Sequence, residues 1–183
     1  MSDIDRSAIE SVARRHGIDV DDEAVSAYLE ATRDQAAQFD ALDPDPVGSD
    51  YRVDPTLGDD EYNAFRQRFE LGGGDGPLSD LEMAVKENIL VAGAPSTCGS
   101  PGFEFEPPHS ATVVDRLVDA GASLVGTTNM DEFAFYITGE TCAHGPTRNP
   151  AVDGCVPGGS SSGSGAAVAA GYVDAALGTD TGG

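Results

Sequence analysis

Basic residues are scarce in this 183-residue sequence, and lysine occurs only once, as Lys86. Lys and Arg together number 10 against 32 Asp and Glu, which gives a formal net charge of −22 at pH 7. A surface this acidic repels phosphate backbones, so direct binding of nucleic acid is excluded. The acids are spread along the whole chain, and apolar residues recur periodically between them. We therefore favour a folded protein from a halophilic source over a disordered acidic one.

Long apolar runs are missing as well. No stretch approaches the roughly 18 consecutive apolar residues of a membrane span, and the N-terminal residues MSDIDRSAIE are polar and acidic. This pattern excludes a transmembrane segment, argues against a signal peptide and predicts a cytoplasmic protein without a membrane partner.

Cysteine and histidine are few and poorly spaced for metal binding. The three cysteines form no CxxC pair, and the three histidines show no ligand spacing, so we expect no disulfide framework, no metal and no cofactor. A nucleophilic pair of Cys142 with His144 is a weak hypothesis, since such partners are seldom neighbours in sequence.

The chain divides into two parts that differ in composition and in the spacing of apolar residues. Residues 4–16 and 22–40 have helical apolar spacing, residues 41–60 are rich in Pro and Asp and are typical of a linker, and the spacing of Tyr62, Phe65 and Phe69 suggests a short helix. We predict an N-terminal helical arm with a linker over residues 1–77.

From residue 78 the pattern becomes α/β. Strands are predicted over residues 81–86, 122–126 and 172–177, and helices over about 111–121, with Ser110 as N-cap, and 163–170. Strand, helix and strand at this spacing predict a largely parallel sheet covered by helices on both faces. The second domain is placed at residues 78–183.

Two segments could carry chemistry. Lys86 is either an exposed residue at a strand end or a buried amine whose lowered pKa lets it act as a base. The serines of residues 158–164 could belong to a flexible linker, or to a nucleophile elbow, because residues 159–163 satisfy G-x-S-x-G. A Walker phosphate loop is excluded because no lysine follows the glycines.

Four separated segments carry a family resemblance. They are AVKENI at 84–89, TNMDEF at 128–133, GPTRNP at 145–150, and PGGSSSGSGAAVAAG with ALGTDTGG at 157–183. In this order they resemble the amidase signature family, over about residues 78–183. The resemblance implies an α/β/α sandwich with a mixed sheet. Complete members are far longer, so we expect the sequence to be an N-terminal portion with a truncated signature domain.

The family uses a Ser–cis-Ser–Lys triad, and the resemblance assigns its parts. Lys86 matches the base and Ser160 matches the bridging cis-serine. Ser161 and Asp180 match supporting positions. The backbone N–H groups of an oxyanion hole match three residues, Thr181, Gly182 and Gly183.

The nucleophile itself is expected just after Gly183, beyond the sequence. We therefore expect the 183-residue chain to be inactive by itself.

The resemblance favours an amidase that releases ammonia or an amine from a small-molecule carboxamide through an acyl-enzyme. The alternatives are the A subunit of a glutamine amidotransferase, which supplies ammonia for tRNA-dependent transamidation, and a non-catalytic remnant. The helical N-terminus favours the amidases proper, whereas the TNMDEF and GPTRNP segments favour the amidotransferase. No cofactor is implied, and a homodimer is compatible with the sequence.

Overall fold

The computed structural model describes residues 4–40 and 51–182, which fall into two compact units, Met1–Pro46 and Val47–Gly183. The first unit contains helices α1 (Arg6–Arg15) and α2 (Asp22–Asp40). Carboxylates begin both helices: Asp5 accepts from the Ala8 N–H at 3.0 Å, and Asp21 accepts from the Ala24 N–H at 2.8 Å. Both helices agree with the sequence prediction.

The second unit is built on a five-stranded mixed sheet in the order β1-β2-β4-β3-β5. Its strands are β1 (Thr56–Leu57), β2 (Phe65–Gly72), β3 (Glu82–Lys86), β4 (Ser123–Thr128) and β5 (Ala175–Leu177). Strands β4, β3 and β5 run parallel, whereas β1 and β2 extend the sheet in antiparallel fashion. The predicted α/β class with a mixed sheet is confirmed.

One helix covers each face of this sheet. Helices α3 (Thr112–Asp119) and α4 (Ser162–Ala169) follow β3 and β4 respectively. Alternate residues of a strand point to opposite faces, so Val85 packs in the cluster that contains Val114 of α3, and Ala84 packs in the cluster that contains Ala166 of α4. The side chain after Val85, that of Lys86, therefore points to the α4 side.

The predicted short helix around residues 62–69 is wrong, because these residues enter strand β2. Phe65, Gln67 and Phe69 are buried and alternate with half-exposed Arg66 and Arg68, which is the two-residue period of a strand. Phe65 and Phe69 are four residues apart, a spacing that fits both structures, and pairing with β4 decides between them.

The same pairing bears on the domain boundary. Strands β1 and β2, at residues 56–57 and 65–72, belong to the sheet, so the compact units divide near residue 46 rather than at residue 77 as the sequence suggested. Part of the predicted linker, residues 41–50, lies outside the described residues.

The N-cap predicted for α3 is also wrong. The helix begins at Thr112 with Ala111 at the cap position, and no side chain caps it. The Ser110 hydroxyl instead accepts a hydrogen bond from the Ala92 N–H at 2.9 Å, so this serine stabilises a neighbouring loop.

The three parallel strands end at one edge of the sheet. Lys86, the last residue of β3, is in register with Thr128, the last residue of β4, and Val85 is in register with Leu177 at the end of β5. Ligand sites in parallel α/β sheets lie outside this carboxyl edge. Among the described residues, none of the helices has the length and apolar character needed to cross a membrane.

Candidate active site

Lys86 lies at the carboxyl edge with no exposed surface. Its Nζ donates to Ser160 Oγ at 2.7 Å and to Thr179 Oγ1 at 2.8 Å. The Asn88 amide donates to the same Thr179 hydroxyl at 3.3 Å. Of the two interpretations of Lys86, the structure therefore supports the buried amine and not the exposed strand end.

Burial changes the proton affinity of this amine. Loss of hydration lowers the pKa of Lys86 below its ordinary value. The charges of Asp131 and Asp180 raise this pKa, but their effect is smaller than that of burial. Desolvation disfavours the ammonium because it carries a charge. Near neutral pH a larger fraction of Lys86 is therefore neutral, and able to accept a proton, than of an exposed lysine.

Ser160 stands in the turn that leads into α4, and the Gly159–Ser160 peptide bond is cis. The Ser160 carbonyl accepts a hydrogen bond from the Asp131 N–H at 3.1 Å. The turn is therefore attached to the end of β4 through its backbone, while the Ser160 side chain faces Lys86.

The neighbouring serines hold the turn in place. Ser161 Oγ donates to the Thr179 carbonyl at 3.2 Å and accepts from the Thr179 N–H at 3.1 Å, which ties the turn to the segment after β5. Ser164 Oγ donates to the Leu177 carbonyl at 2.9 Å, and Ser162 Oγ lies 3.0 Å from Thr147 Oγ1. Such a network does not fit a flexible linker.

The nucleophile-elbow hypothesis for residues 159–163 finds no support either. An elbow places its serine directly after a strand. In this chain the segment follows the loop of residues 139–158, with no strand between β4 and α4.

A cavity of about 630 Å³ opens beside Ser160. One wall is polar and consists of the turn at Gly159 and the segment from Thr179 to Gly182. A second wall is apolar and runs from Phe133 to Ile137, with Phe135 85% and Ile137 79% exposed. The cavity can therefore hold a molecule that presents a polar group to Ser160 and a side chain to the apolar wall.

Two of the three residues that the resemblance matched to an oxyanion hole lie at this cavity. Thr181 and Gly182 line it, together with Asp180. Gly183 lies outside the described residues. Among the residues matched to the site, Lys86, Ser160, Ser161 and Asp180 are thus assembled around one edge.

Sequence reasoning did not single out Thr179 or Asp131, although Thr179 contacts Lys86 and the charge of Asp131 acts on it. The Lys86 amine donates hydrogen bonds to both Thr179 and Ser160. Asp131 is completely buried. Each follows the end of a parallel strand by two or three residues. Polar residues at those positions were the signal that could have found them.

Cys142 and His144 do not pair with each other through their side chains. The Cys142 thiol donates to Asn129 Oδ1 at 3.6 Å, and burial raises the pKa of this thiol. His144 Nε2 lies 2.9 Å from Thr97 Oγ1, whose hydroxyl donates to Glu87; Nε2 therefore carries the ring proton. Within residues 4–40 and 51–182, no cluster of three or more His, Cys, Asp or Glu is arranged to hold a metal.

Comparisons with known proteins place this geometry in a family. The family model described as Amidase matches residues 60–183. The A subunit of glutamyl-tRNA(Gln) amidotransferase from Natronomonas pharaonis is 61% identical over 110 residues, which cover 60% of this chain and 26% of that protein. The protein of the same name from Haloarcula marismortui is 54% identical over 125 residues, 67% of this chain and 29% of that protein.

Solved structures agree with these relatives. The crystal structure of the A subunit of glutamyl-tRNA(Gln) amidotransferase from Thermotoga maritima is 49% identical with a TM-score of 0.53, over 56% of this chain and 23% of that one. A crystal structure of an amidase is 47% identical with a TM-score of 0.55, over 59% and 25%. The chain spans between a quarter and a third of the length of the two curated relatives, 26% and 29%. Because the family model covers more than half of the sequence, the chain belongs to the amidase family.

Proposed function

We propose that the complete protein releases ammonia from a carboxamide through an acyl-enzyme, with Lys86 as base and Ser160 as proton relay. The observation that carries this proposal is the 2.7 Å hydrogen bond between the fully buried Lys86 amine and the Ser160 hydroxyl. A buried neutral amine next to a hydroxyl is the arrangement that activates a serine nucleophile.

The proton moves in two steps. Neutral Lys86 takes the Ser160 proton while Ser160 Oγ takes the proton of the nucleophilic serine, expected next after Gly183. That serine then attacks the carbonyl carbon, the C–N bond breaks, and the proton returns through Ser160 to the departing nitrogen. Water finally cleaves the ester, and the relay runs again to restore the enzyme.

The peptide N–H groups after Asp180 would stabilise the negative charge that develops on the carbonyl oxygen. Those of Thr181, Gly182 and Gly183 would donate to the oxyanion, and one such donor contributes about 3–4 kcal/mol to the lowering of the barrier. Ser161 and Asp180 support the site: Ser161 fixes the Thr179 backbone, and Asp180 acts on the charge of Lys86.

For the substrate, we propose glutamine. Two relatives that are 61% and 54% identical to this chain carry the name of the A subunit of glutamyl-tRNA(Gln) amidotransferase. The chain would then be part of a subunit that supplies ammonia to a partner subunit. With a net charge of −22 the chain is a poor binder of tRNA by itself, so the partner would hold the tRNA.

A stand-alone amidase is the second candidate. The helical unit Met1–Pro46 favours it, since such an N-terminus resembles that of the amidases proper. The apolar wall from Phe133 to Ile137 also suits an amide with an apolar substituent better than it suits glutamine.

The test measures ammonia release by the complete protein in high salt, from glutamine and from a panel of simple amides. Ser160→Ala should lower kcat about 10²–10⁴-fold, the usual contribution of a positioned acid–base group. Ser79→Ala is the control, because Ser79 is exposed and lies before β3, away from the carboxyl edge, and it should stay within a few-fold of the unchanged protein.

Each result has a clear meaning. Glutamine turnover that depends on charged tRNA and on a partner subunit supports the first candidate, and turnover of simple amides without either supports the second. Full activity in Ser160→Ala, or no turnover of any amide, would overturn the proposal.

A further inference from the structure

We propose that Asp131 is a positioning residue for the proton relay: its buried carboxylate clamps the loop of residues 139–141 against the Ser160 turn and so fixes the Ser160 hydroxyl on Lys86. This inference rests on the function proposed above. Asp131 does not touch the cavity; it would act through Ser160.

Both oxygens of the Asp131 carboxylate accept hydrogen bonds from the loop of residues 139–141. Asp131 Oδ2 accepts from the Gly139 N–H at 2.9 Å, and Oδ1 accepts from the Thr141 N–H at 3.1 Å and from Thr141 Oγ1 at 2.9 Å. Thr141 Oγ1 in turn accepts from the Glu132 N–H at 3.1 Å. A single completely buried side chain thereby closes the loop that begins after the apolar wall.

The same residue contacts the Ser160 turn. Its N–H donates to the Ser160 carbonyl at 3.1 Å. Its Oδ2 packs so closely on Gly159 that a Cβ there would overlap it. On the other side of the loop, a Cβ added at Gly139 would lie 2.7 Å from Ser162 Cβ and 3.0 Å from the Gly158 carbonyl oxygen. Asp131, the loop and the turn are therefore packed without spare volume, and the turn cannot shift unless the clamp opens.

Asp131 also acts on Lys86 through its charge. Within the described residues, the charged groups that act on the Lys86 amine are Asp131, after β4, and Asp180, after β5, and both raise the pKa of Lys86 against the larger effect of burial. Removal of the Asp131 charge should therefore lower that pKa further. Because the relay needs neutral Lys86, kcat should rise with pH on the acidic side of its pH profile. This acidic limb should move to lower pH when the Asp131 charge is removed.

The test compares Asp131→Asn with Thr141→Val. The amide introduced by Asp131→Asn would place an NH₂ donor against an N–H donor of the loop, which opens the clamp and removes the charge. Thr141→Val removes one of the hydrogen bonds to Asp131, together with the one that Thr141 accepts from the Glu132 N–H, and keeps the charge. In the complete protein we expect Asp131→Asn to lower kcat on the order of 100-fold, as misplaced catalytic groups do, and to shift the acidic limb to lower pH.

For Thr141→Val we expect a loss of roughly 5-fold, the rate equivalent of the one ordinary hydrogen bond that Asp131 loses, and an unmoved limb. KM for the amide should stay within a few-fold in both variants, since neither side chain lines the cavity.

A second readout does not depend on activity. Because Lys86 is the only lysine of the 183-residue chain, ¹³Cε-lysine labelling of that chain gives one side-chain resonance, which should titrate at lower pH in Asp131→Asn than in the unchanged chain. A normal kcat in folded Asp131→Asn, or a reduced kcat with an unmoved limb and resonance, would overturn the inference. An unchanged kcat in Thr141→Val would do the same if Asp131→Asn does not fold. Failure of the proposed function differs, because no variant would then turn over amides while the Lys86 resonance would still respond.

Discussion

Replacement of Lys86 with methionine should change how the stability of the chain depends on pH. Methionine has nearly the length of lysine and fills the same buried space, but it carries no proton. Lys86 is fully buried, and this burial lowers its pKa. In the unfolded chain the same side chain titrates near the ordinary lysine value of about 10.4.

The sign follows from proton counts. Between the folded and the unfolded pKa, the unfolded chain binds more protons than the folded chain, so the stability of the unchanged protein rises with pH. The slope reaches at most about 1.4 kcal/mol per pH unit for one group. Above both pKa values the amine contributes only its hydrogen bonds to Ser160 and Thr179, each of about 1 kcal/mol.

Urea unfolding of both proteins in high salt, followed by circular dichroism from pH 7 to 10.5, measures the difference. The free energy of unfolding of the unchanged chain should rise steadily, relative to that of Lys86→Met, as the pH rises. Arg116→Met is the control, because Arg116 is exposed on α3 and its charge does not titrate in this range. Two curves that stay parallel across the whole range would refute the reasoning, since they would mean that Lys86 titrates alike in the folded and unfolded chains.

Two further substitutions test the packing around the site. Gly159→Ala should destabilise the chain by about 1–3 kcal/mol in urea unfolding, because the new methyl group overlaps the Asp131 carboxylate. Gly165→Ala is its control: a Cβ there meets no atom within 4 Å, and the change should be neutral or stabilising. Glu87→Gln should cost about 3–5 kcal/mol, because buried Glu87 accepts from the N–H groups of Thr97 and Gly99 and lies 3.8 Å from Arg66 Nε. A loss below about 1 kcal/mol in either Gly159→Ala or Glu87→Gln would contradict the packing described.

Local sequence signals predicted most of the fold. The helical spacing of residues 4–40 and the strand–helix–strand pattern from residue 78 depend on neighbours in sequence, and both are present in the structure. Strand β2 was missed because the spacing of Phe65 and Phe69 fits a helix as well as a strand, and only pairing with β4 distinguishes them. The role of Ser110 was missed for a similar reason, since its partner Ala92 belongs to another loop.

The candidate site divides in the same way. Lys86 stood out because it is the only lysine, and Ser160 stood out within a run of serines and glycines. Thr179 and Asp131 carry only a weaker sign, their position just after the end of a parallel strand. Thr179 reaches Lys86 from 93 residues away, and this meeting depends on the shared edge of parallel strands. Asp131 contacts backbone N–H groups of a loop, which leave no trace in residue type.

The central claim is that Lys86 is a buried amine that loses its proton more readily than an ordinary lysine and passes protons through Ser160. The most direct test is the titration of the single ¹³Cε-lysine resonance in the folded chain, with circular dichroism as the check that the fold persists at each pH. We predict a midpoint below the ordinary lysine value, in line with the burial of Lys86, and a changed midpoint in Ser160→Ala, which lacks the hydroxyl that contacts the amine. A midpoint at or above about 10.4, unaffected by Ser160→Ala, would contradict the account.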